Sequence, residues 1–348
     1  MRTTMKDVAN RAGVSTATVS RVLSSGPSVP NVTPSTRARV LRVCRELRFH
    51  TNPVARALRR RRTGLVAVIV RDLADPFNSL VLKGIDQAIG RSAFGFHIDP
   101  VAVGSRMDLY EEIYRSHVSD GMIVVGDLLD NERLDRHLLE LCPKTVLVSH
   151  PRVGGIPTVV GDEKATVGLA LEFLCELGHR AIAFGYNPEV WSMRERHKAF
   201  LTSASRLGID IRPLWIVEAE GTPGGGGFVM RRLLEDPKGP TAVIYGNDAM
   251  ALGGMNVAWS RGLTIPDELS VCGIGNTAFS GFFSPSLTTV NQNYQLLGEL
   301  AATMLVDWLE NRARPPSDPQ VVPAELMARE STAAPRHGEL QLGDGGRC

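Results

Sequence analysis

Residues 6–23 read KDVANRAGVSTATVSRVL, and their order of apolar, small and hydroxyl side chains dictates two short helices set at an angle. Val8 and Ala9 face inward on the first, which closes at Ala12 and Gly13; glycine suits the left-handed backbone of a tight turn. Val14 plugs the angle between the helices, and Ser15 stands where an N-cap hydroxyl can accept from Ala17 or Thr18 N–H. The second helix buries Val19, Val22 and Leu23 and turns Thr16, Ala17, Thr18, Ser20 and Arg21 outward. Such a helix-turn-helix has the shape that enters the major groove of B-form DNA. Arg21 suits a guanine edge in bidentate fashion, while Thr16 and Ala17 admit close approach to base edges and thymine methyls. Ser15, Thr18, Ser20 and the Lys6 ammonium suit phosphate, which positions without specifying.

Working outward, a third helix is expected from Pro34, capped by Thr33, with Val40, Leu41, Cys44 and Leu47 on its buried stripe. The stretch TNPVARALRRRR (residues 51–62) follows, too short for a stable isolated helix. It reads either as a basic linker or as a hinge that folds on DNA from Asn52, with Ala55, Arg56 and an apolar wedge, Leu58, at the minor groove. Residues 1–62 hold fourteen Lys and Arg against two acids, a net of +12, whereas the rest of the chain carries −10 behind the overall +2. That asymmetry implies a polyanion-binding head on a mildly acidic body.

Beyond Gly64, short apolar strands alternate with amphipathic helices. Strands are expected at Leu65–Val70, Gly121–Val125, Thr145–Val148, Ala181–Phe184, Leu214–Val217, Ala242–Tyr245 and Ser270–Gly273. Helices are expected at Phe77–Gly90, Lys164–Leu177, Arg194–Leu207 and Asp248–Arg261. This order implies parallel sheets covered on both faces. The length exceeds one comfortable sheet, so two α/β lobes are expected, with ligands at the carboxyl ends of the strands.

The head resembles the DNA-binding domain of the lactose/galactose repressor (LacI–GalR) family on KDVANRAGVSTATVSRVL and NPVARAL. The body resembles the family's effector domain on DLADPFNSLVLKGID, LCELGHRAIAF, TAVIYGNDAMALGGM, SPSLTTVNQ and ELMAREST. The resemblance implies an all-α helix-turn-helix head with a hinge helix, joined to a two-lobed periplasmic-binding-protein-like effector domain. It divides the chain into a DNA-binding head (1–50), a hinge and linker (51–63), an effector-binding and dimerisation domain (64–335) and a polar tail (336–348). It implies three crossings between lobes, near residues 160, 290 and 320. It also implies a homodimer on a near-palindromic operator, with Leu58 and its neighbours in the minor groove, and a small-molecule effector that controls operator affinity. Phe77, Ser149, Arg196, Asn247, Asn276 and Gln292 are the implied effector contacts; Asp248 is read instead as a helix cap. Ser149 and Gly275 stand where an Asp is frequent in the family, and Thr222 where an aromatic is frequent. With Arg71, His150, Arg152 and Arg196 nearby, those departures point to an anionic sugar acid or phosphate.

Other classes fare worse. No apolar run approaches the roughly 18 residues that span a bilayer, and the polar start does not read as a signal peptide. Five scattered cysteines without C-x-x-C spacing fit a reducing cytoplasm, where a regulator would lie on nucleoid DNA. No G-x-S-x-G, H-E-x-x-H or complete Walker sequence is present, and GTPGGGG (Gly221–Gly227) reads as a flexible connection to a helix near Phe228. Neither catalysis nor a cofactor or metal is expected. A solute-binding protein or a cleft enzyme remains the rival reading, and each leaves the basic head unexplained.

Overall fold

The structure is a computed structural model that describes residues 3–24, 32–49, 62–92, 94–100, 119–127, 144–209 and 211–335. It divides into two compact units, Met1–Gly64 and Leu65–Cys348. Asn52, Ala55, Arg56 and Leu58 of the expected hinge lie outside the described residues.

The head is three helices, α1 (Met5–Ala12), α2 (Thr16–Ser24) and α3 (Pro34–Glu46). A reciprocal capping box opens α1: Asp7 N–H donates to Thr4 Oγ1, and Thr4 N–H donates to the Asp7 carboxylate. Gly13 ends it at φ 62°, the left-handed conformation the turn needs. Val8, Ala9, Ala12, Val19, Val22, Val40, Val43 and Cys44 form the core, with Val14, Leu41 and Leu47 packed on its edge. The third helix therefore buries Val43 where Leu47 was expected, because Leu47 already lies beyond the last helical turn.

The body contains two six-stranded sheets. The first lobe is built on β1 (Leu65–Val70), β2 (Gly95–Pro100), β3 (Gly121–Val125), β4 (Thr145–Val148), β5 (Thr158–Gly161) and β11 (Gln320–Val322). Their order is β11-β5-β4-β3-β1-β2, all parallel. Helices α4 (Pro76–Ile89) and α9 (Tyr294–Leu309) pack within this lobe's core. The second lobe holds β6 (Ile182–Tyr186), β7 (Ile216–Glu218), β8 (Ala242–Tyr245), β9 (Ser270–Ile274), β10 (Thr288–Asn291) and β12 (Glu325–Met327). Its order is β12-β10-β9-β8-β6-β7, and only β12 runs antiparallel. Around it lie α5 (Glu163–Glu176), α6 (Trp191–Arg206), α7 (Pro223–Leu233) and α8 (Asp248–Ser260). Runs such as LVAVIV in β1 and TVLV in β4 are buried almost throughout, as strands covered on both faces must be. The chain crosses between lobes after β5, after β10 and after β11, in agreement with crossings near 160, 290 and 320.

Two expectations change. Leu214 does not start a strand: it lies in a 3-10 turn (Pro213–Trp215), and β7 begins only at Ile216. The glycine run is not a flexible connection either. Thr222 caps α7 by accepting from Gly225 N–H, Pro223 takes its first position, and Gly224–Gly227 are helical. The gain is close approach: a Cβ at Gly226 would sit 1.8 Å from Met250 O, and one at Gly253 would sit 1.8 Å from Pro223 O. Backbone contact between α7 and α8 thus overrides a helix penalty of about 1 kcal/mol per glycine.

The first lobe repeats the device, since a Cβ at Gly298 of α9 would meet Val81 O of α4 at 2.1 Å. Gly298→Ala must push the helices apart, and we expect it to destabilise the body by about 1–3 kcal/mol, read as a lowered midpoint of thermal unfolding.

Candidate functional site

On the head, α2 presents its outer face to solvent. Ser15 Oγ accepts from Thr18 N–H at 3.1 Å and lies 2.9 Å from Thr18 Oγ1, so of the two donors anticipated it is Thr18 that is capped. Lys6, Ser15, Thr16, Ala17 and Arg21 are exposed, and Thr18 and Ser20 are half-buried. The opposite side of the helix is closed by Val19 and Val22, fully buried. A short helix held from behind by its core, with a bare hydroxyl-rich face ending in Arg21, can insert into a groove without exposing apolar surface.

In the body, a cavity of about 470 Å³ opens between the two lobes at the carboxyl ends of their strands. From the first lobe come Arg71 and Asp72 after β1, Asp127 after β3, Ser149 after β4, and Phe77 and Asn78 in the first turn of α4. From the second come Asn187 after β6, Glu220 after β7, Asn247 after β8, and Met193 and Arg196 on α6. Tyr294, at the start of α9, meets Phe77 edge-on at 4.8 Å between ring centroids.

Of the anticipated contacts, Phe77, Ser149, Arg196 and Asn247 line this cavity, whereas Gln292 and Asn276 are not among its lining residues. Gln292 is buried at the second crossing. There its amide donates to Glu163 (2.6 Å) and Thr166 (3.0 Å) and accepts from Arg196 (2.5 Å). Asn276 accepts from Arg329 at 2.6 Å, which holds its side chain toward the C-terminal segment. The capping roles also reverse: Asn247 caps α8 by accepting from Met250 N–H, and its amide donates to Gly221 O. Asp248, read as the cap, is fully buried and accepts from Thr277 N–H and the hydroxyls of Thr277, Ser280 and Thr289. It fastens the loop after β9 to the helix.

Arg196 is only 4 % exposed and its guanidinium is fully engaged. It donates to Glu163 at 2.7 Å, to Gly246 O at 2.5 Å and to Gln292. Burial, the largest single influence, would pull its pKa down, but the Glu163 charge together with Tyr294 and the hydrogen bonding around the guanidinium outweighs it, and the group is held above its ordinary value. Glu163 opens α5 just after the first crossing and Gln292 forms the second, so one buried cluster ties two crossings to the cavity wall. The four bases expected to gather around an anion do not do so. Arg152 pairs with Asp318 at the surface and His150 bonds Pro151 O, both away from the cavity lining, and Arg196 already has its carboxylate.

Asp127, Glu220 and Tyr294 line the cavity and Glu163 joins the buried cluster behind it, and sequence reasoning passed over all four. Asp127 stands in plain view: an acid immediately after a predicted strand, where ligand-facing loops begin. It is 8 % exposed and accepts from Trp191 N–H at 2.7 Å, capping α6 of the opposite lobe; that helix has no side-chain cap of its own. Burial raises its pKa. His179, buried and bonded to Thr241, Ser270 and Ala333 O, is structural. Among the described residues no cluster of His, Cys, Asp or Glu could hold a metal, and no helix is long and apolar enough to cross a membrane.

The comparisons place these features. Residues 4–52 match the sequence profile of bacterial regulatory proteins of the lacI family, and residues 171–332 match a periplasmic binding protein-like domain. The chain is 31 % identical over 333 residues to the HTH-type transcriptional repressor CytR of Escherichia coli (strain K12), covering 95 % of this chain and 96 % of that protein. It is 30 % identical over 336 residues to catabolite control protein A of Priestia megaterium, covering 95 % and 100 %. Its structure matches that of the lac repressor dimer bound to operator and the anti-inducer ONPF with a TM-score of 0.84 at 26 % identity, covering 96 % of this chain and all of that one.

Two outcomes test the cleft. Because burial raises the Asp127 pKa, the folded chain binds that proton more tightly than the unfolded chain, so the Asp127 contribution to stability rises as pH falls toward the raised pKa. The unfolding midpoint of wild type minus that of Asp127→Asn is expected to grow as pH drops from neutral into the weakly acidic range. Glu163→Ala leaves Arg196 buried without its carboxylate and is expected to cost about 3–5 kcal/mol in chemical denaturation.

Proposed function

The chain belongs to the lacI family of bacterial regulatory proteins, and from that premise we propose that it is a sequence-specific DNA-binding repressor whose operator affinity is set by a small molecule held between the lobes. The observation that carries the reading is the pairing of two features in one chain. One is a helix that exposes Thr16, Ala17 and Arg21 on its outer face while its inner face is core; the other is a cavity lined from both lobes by strand ends. Arg21 takes a guanine edge, Thr16 and Ala17 the neighbouring edges, and Ser15, Thr18, Ser20 and Lys6 the phosphates. Asn52, Ala55, Arg56 and Leu58 form the hinge contact at the minor groove. The domain limits follow the same reading, with a head to residue 50, a hinge to 63 and the effector body to 335. The protein acts in the cytoplasm on nucleoid DNA, as a binding protein and not as an enzyme.

In the cleft, Phe77, Ser149 and Asn247 meet the effector directly, while Arg196 and Gln292 act through the buried cluster and Asn276 through its tie to Arg329. A ligand that closes the lobes must favour one lobe arrangement over the other, and a coupling of about 1–3 kcal/mol suffices for control. The partner on DNA is a second copy of the chain. Phe279, Phe282 and Phe283 stand exposed within five residues of one loop, with Phe228 on α7 and Trp259 on α8 also exposed, which is the aromatic surface a homodimer interface uses.

Selection of random duplexes by the purified chain should enrich one near-palindrome. Arg21→Ala should weaken binding to it by about 1–3 kcal/mol in fluorescence anisotropy while leaving nonspecific DNA binding nearly unchanged. Equal loss on specific and nonspecific DNA would assign Arg21 to phosphate and remove it from base reading.

A further inference from the structure

The cavity's charge inventory goes further than the presence of a ligand. Among the described residues, six carboxylates line it, those of Asp72, Asp75, Asp127, Glu189, Glu220 and Asp248, against two guanidinium groups, Arg71 and Arg196. Arg196 is neutralised by Glu163, so among the described lining residues Arg71 is the cation left to oppose the acids, with Arg194 reaching Asp127 from outside the lining. On the acid side, Asp248 is consumed by its four donors, Asp75 accepts from Phe77 N–H, and Asp127 accepts from Trp191 N–H with Arg194 at 3.9 Å. Glu189 and Glu220 are exposed, and their carboxylates have no hydrogen-bonding or ion partner among the described residues.

These acids come from both walls. Asp72 and Asp127 belong to the first lobe, Glu189 and Glu220 to the second. Closing the cleft on a neutral or anionic ligand would bring like charges together with too little counter-charge between them, which opposes closure. A cation between the walls reverses the sign. A separate observation also points to a donor-bearing ligand. Asn78, 3 % exposed and lining the cavity, spends its amide N–H on Asp72 O, while its Oδ1 has no donor. A carboxylate and an amide oxygen only accept, so the group that completes this site must donate. Beside them Phe77, half-buried and braced by Tyr294, offers an aromatic surface.

We propose that the effector is a small ring-bearing molecule carrying a protonated amine, held by Asp72, Asp127, Glu189 and Glu220 with its ring against Phe77. This deepens the effector reading above and rests on it. The cation is the counter-charge that lets the two acidic walls approach, so the charge of the ligand, and not only its shape, drives closure.

The test titrates the full chain by calorimetry near neutral pH with two charge-matched series: glucosamine, glucose and glucuronate, then benzylamine, benzyl alcohol and benzoate. In at least one series the amine should bind about tenfold or more tighter than its neutral counterpart, with the acid weakest. The Glu189→Gln/Glu220→Gln variant, both sites being exposed, should lose about tenfold of amine affinity with an unchanged circular dichroism spectrum and unfolding midpoint. A neutral or acidic member binding as tightly as the amine, no member binding at millimolar concentration, or a double variant that binds the amine like wild type would each overturn the assignment. Operator affinity measured with and without saturating amine separates the two levels. Amine binding with an unchanged operator affinity supports the charge assignment and removes the effector reading, whereas an operator response to a neutral member does the reverse.

Discussion

The Arg196–Glu163 pair is the contact on which the body's architecture turns, because neither charge can be left where it is without the other. Both side chains are more than nine-tenths buried, and an isolated ion in such surroundings would cost several kcal/mol in lost hydration. The guanidinium therefore recruits partners from three places at once. Glu163 comes from the start of α5, Gly246 O from the end of β8, and Gln292 from the crossing into α9. Each of those segments is fixed in position by the need to satisfy Arg196. A Cβ at Gly275 would meet the Tyr294 ring at 3.1 Å, so the glycine leaves room for that ring beside the cluster.

This placement couples the cleft to the crossings by ordinary packing. Phe77 touches Tyr294, Tyr294 and Arg196 interact electrostatically, and Arg196 bonds Glu163 and Gln292, which stand at two inter-lobe connections. Phe77 and Tyr294 are thus linked through Arg196 to the segments that connect the lobes. Asp127 adds a second link on the far side of the cavity, where a first-lobe carboxylate serves as the missing N-cap of a second-lobe helix.

Much of this was legible from local pattern. Gly13, Ser15 and Thr33 announced their turn and caps because such signals act within four residues. Strands β1, β3, β4 and β8 were readable to the residue because a strand buried on both faces is a continuous apolar run. The glycine run at 224–227 misled for the opposite reason. Local propensity favours a loop there, and only the neighbouring α8, more than twenty residues away, makes the absence of a Cβ an advantage. Asp248 misled similarly: beside Asn247 either could cap, and its four buried donors come from residues 277–289.

By itself, then, the sequence determined the helix-turn-helix head, the outward-facing residues of its second helix and the two-lobed alternation of strands and helices, whereas the three crossings followed from the family resemblance. The former depend on periodicity, caps and charge within short windows. Tertiary structure alone decided which strand-end residues meet. It paired Arg196 with Glu163 instead of leaving it free for an anion, set Asn276 on Arg329, and gathered carboxylates from both lobes around one cavity. The reason is physical: a buried charge chooses its partner by distance in space, and residues 33, 50 and 96 positions apart in the chain become neighbours only after both sheets have formed.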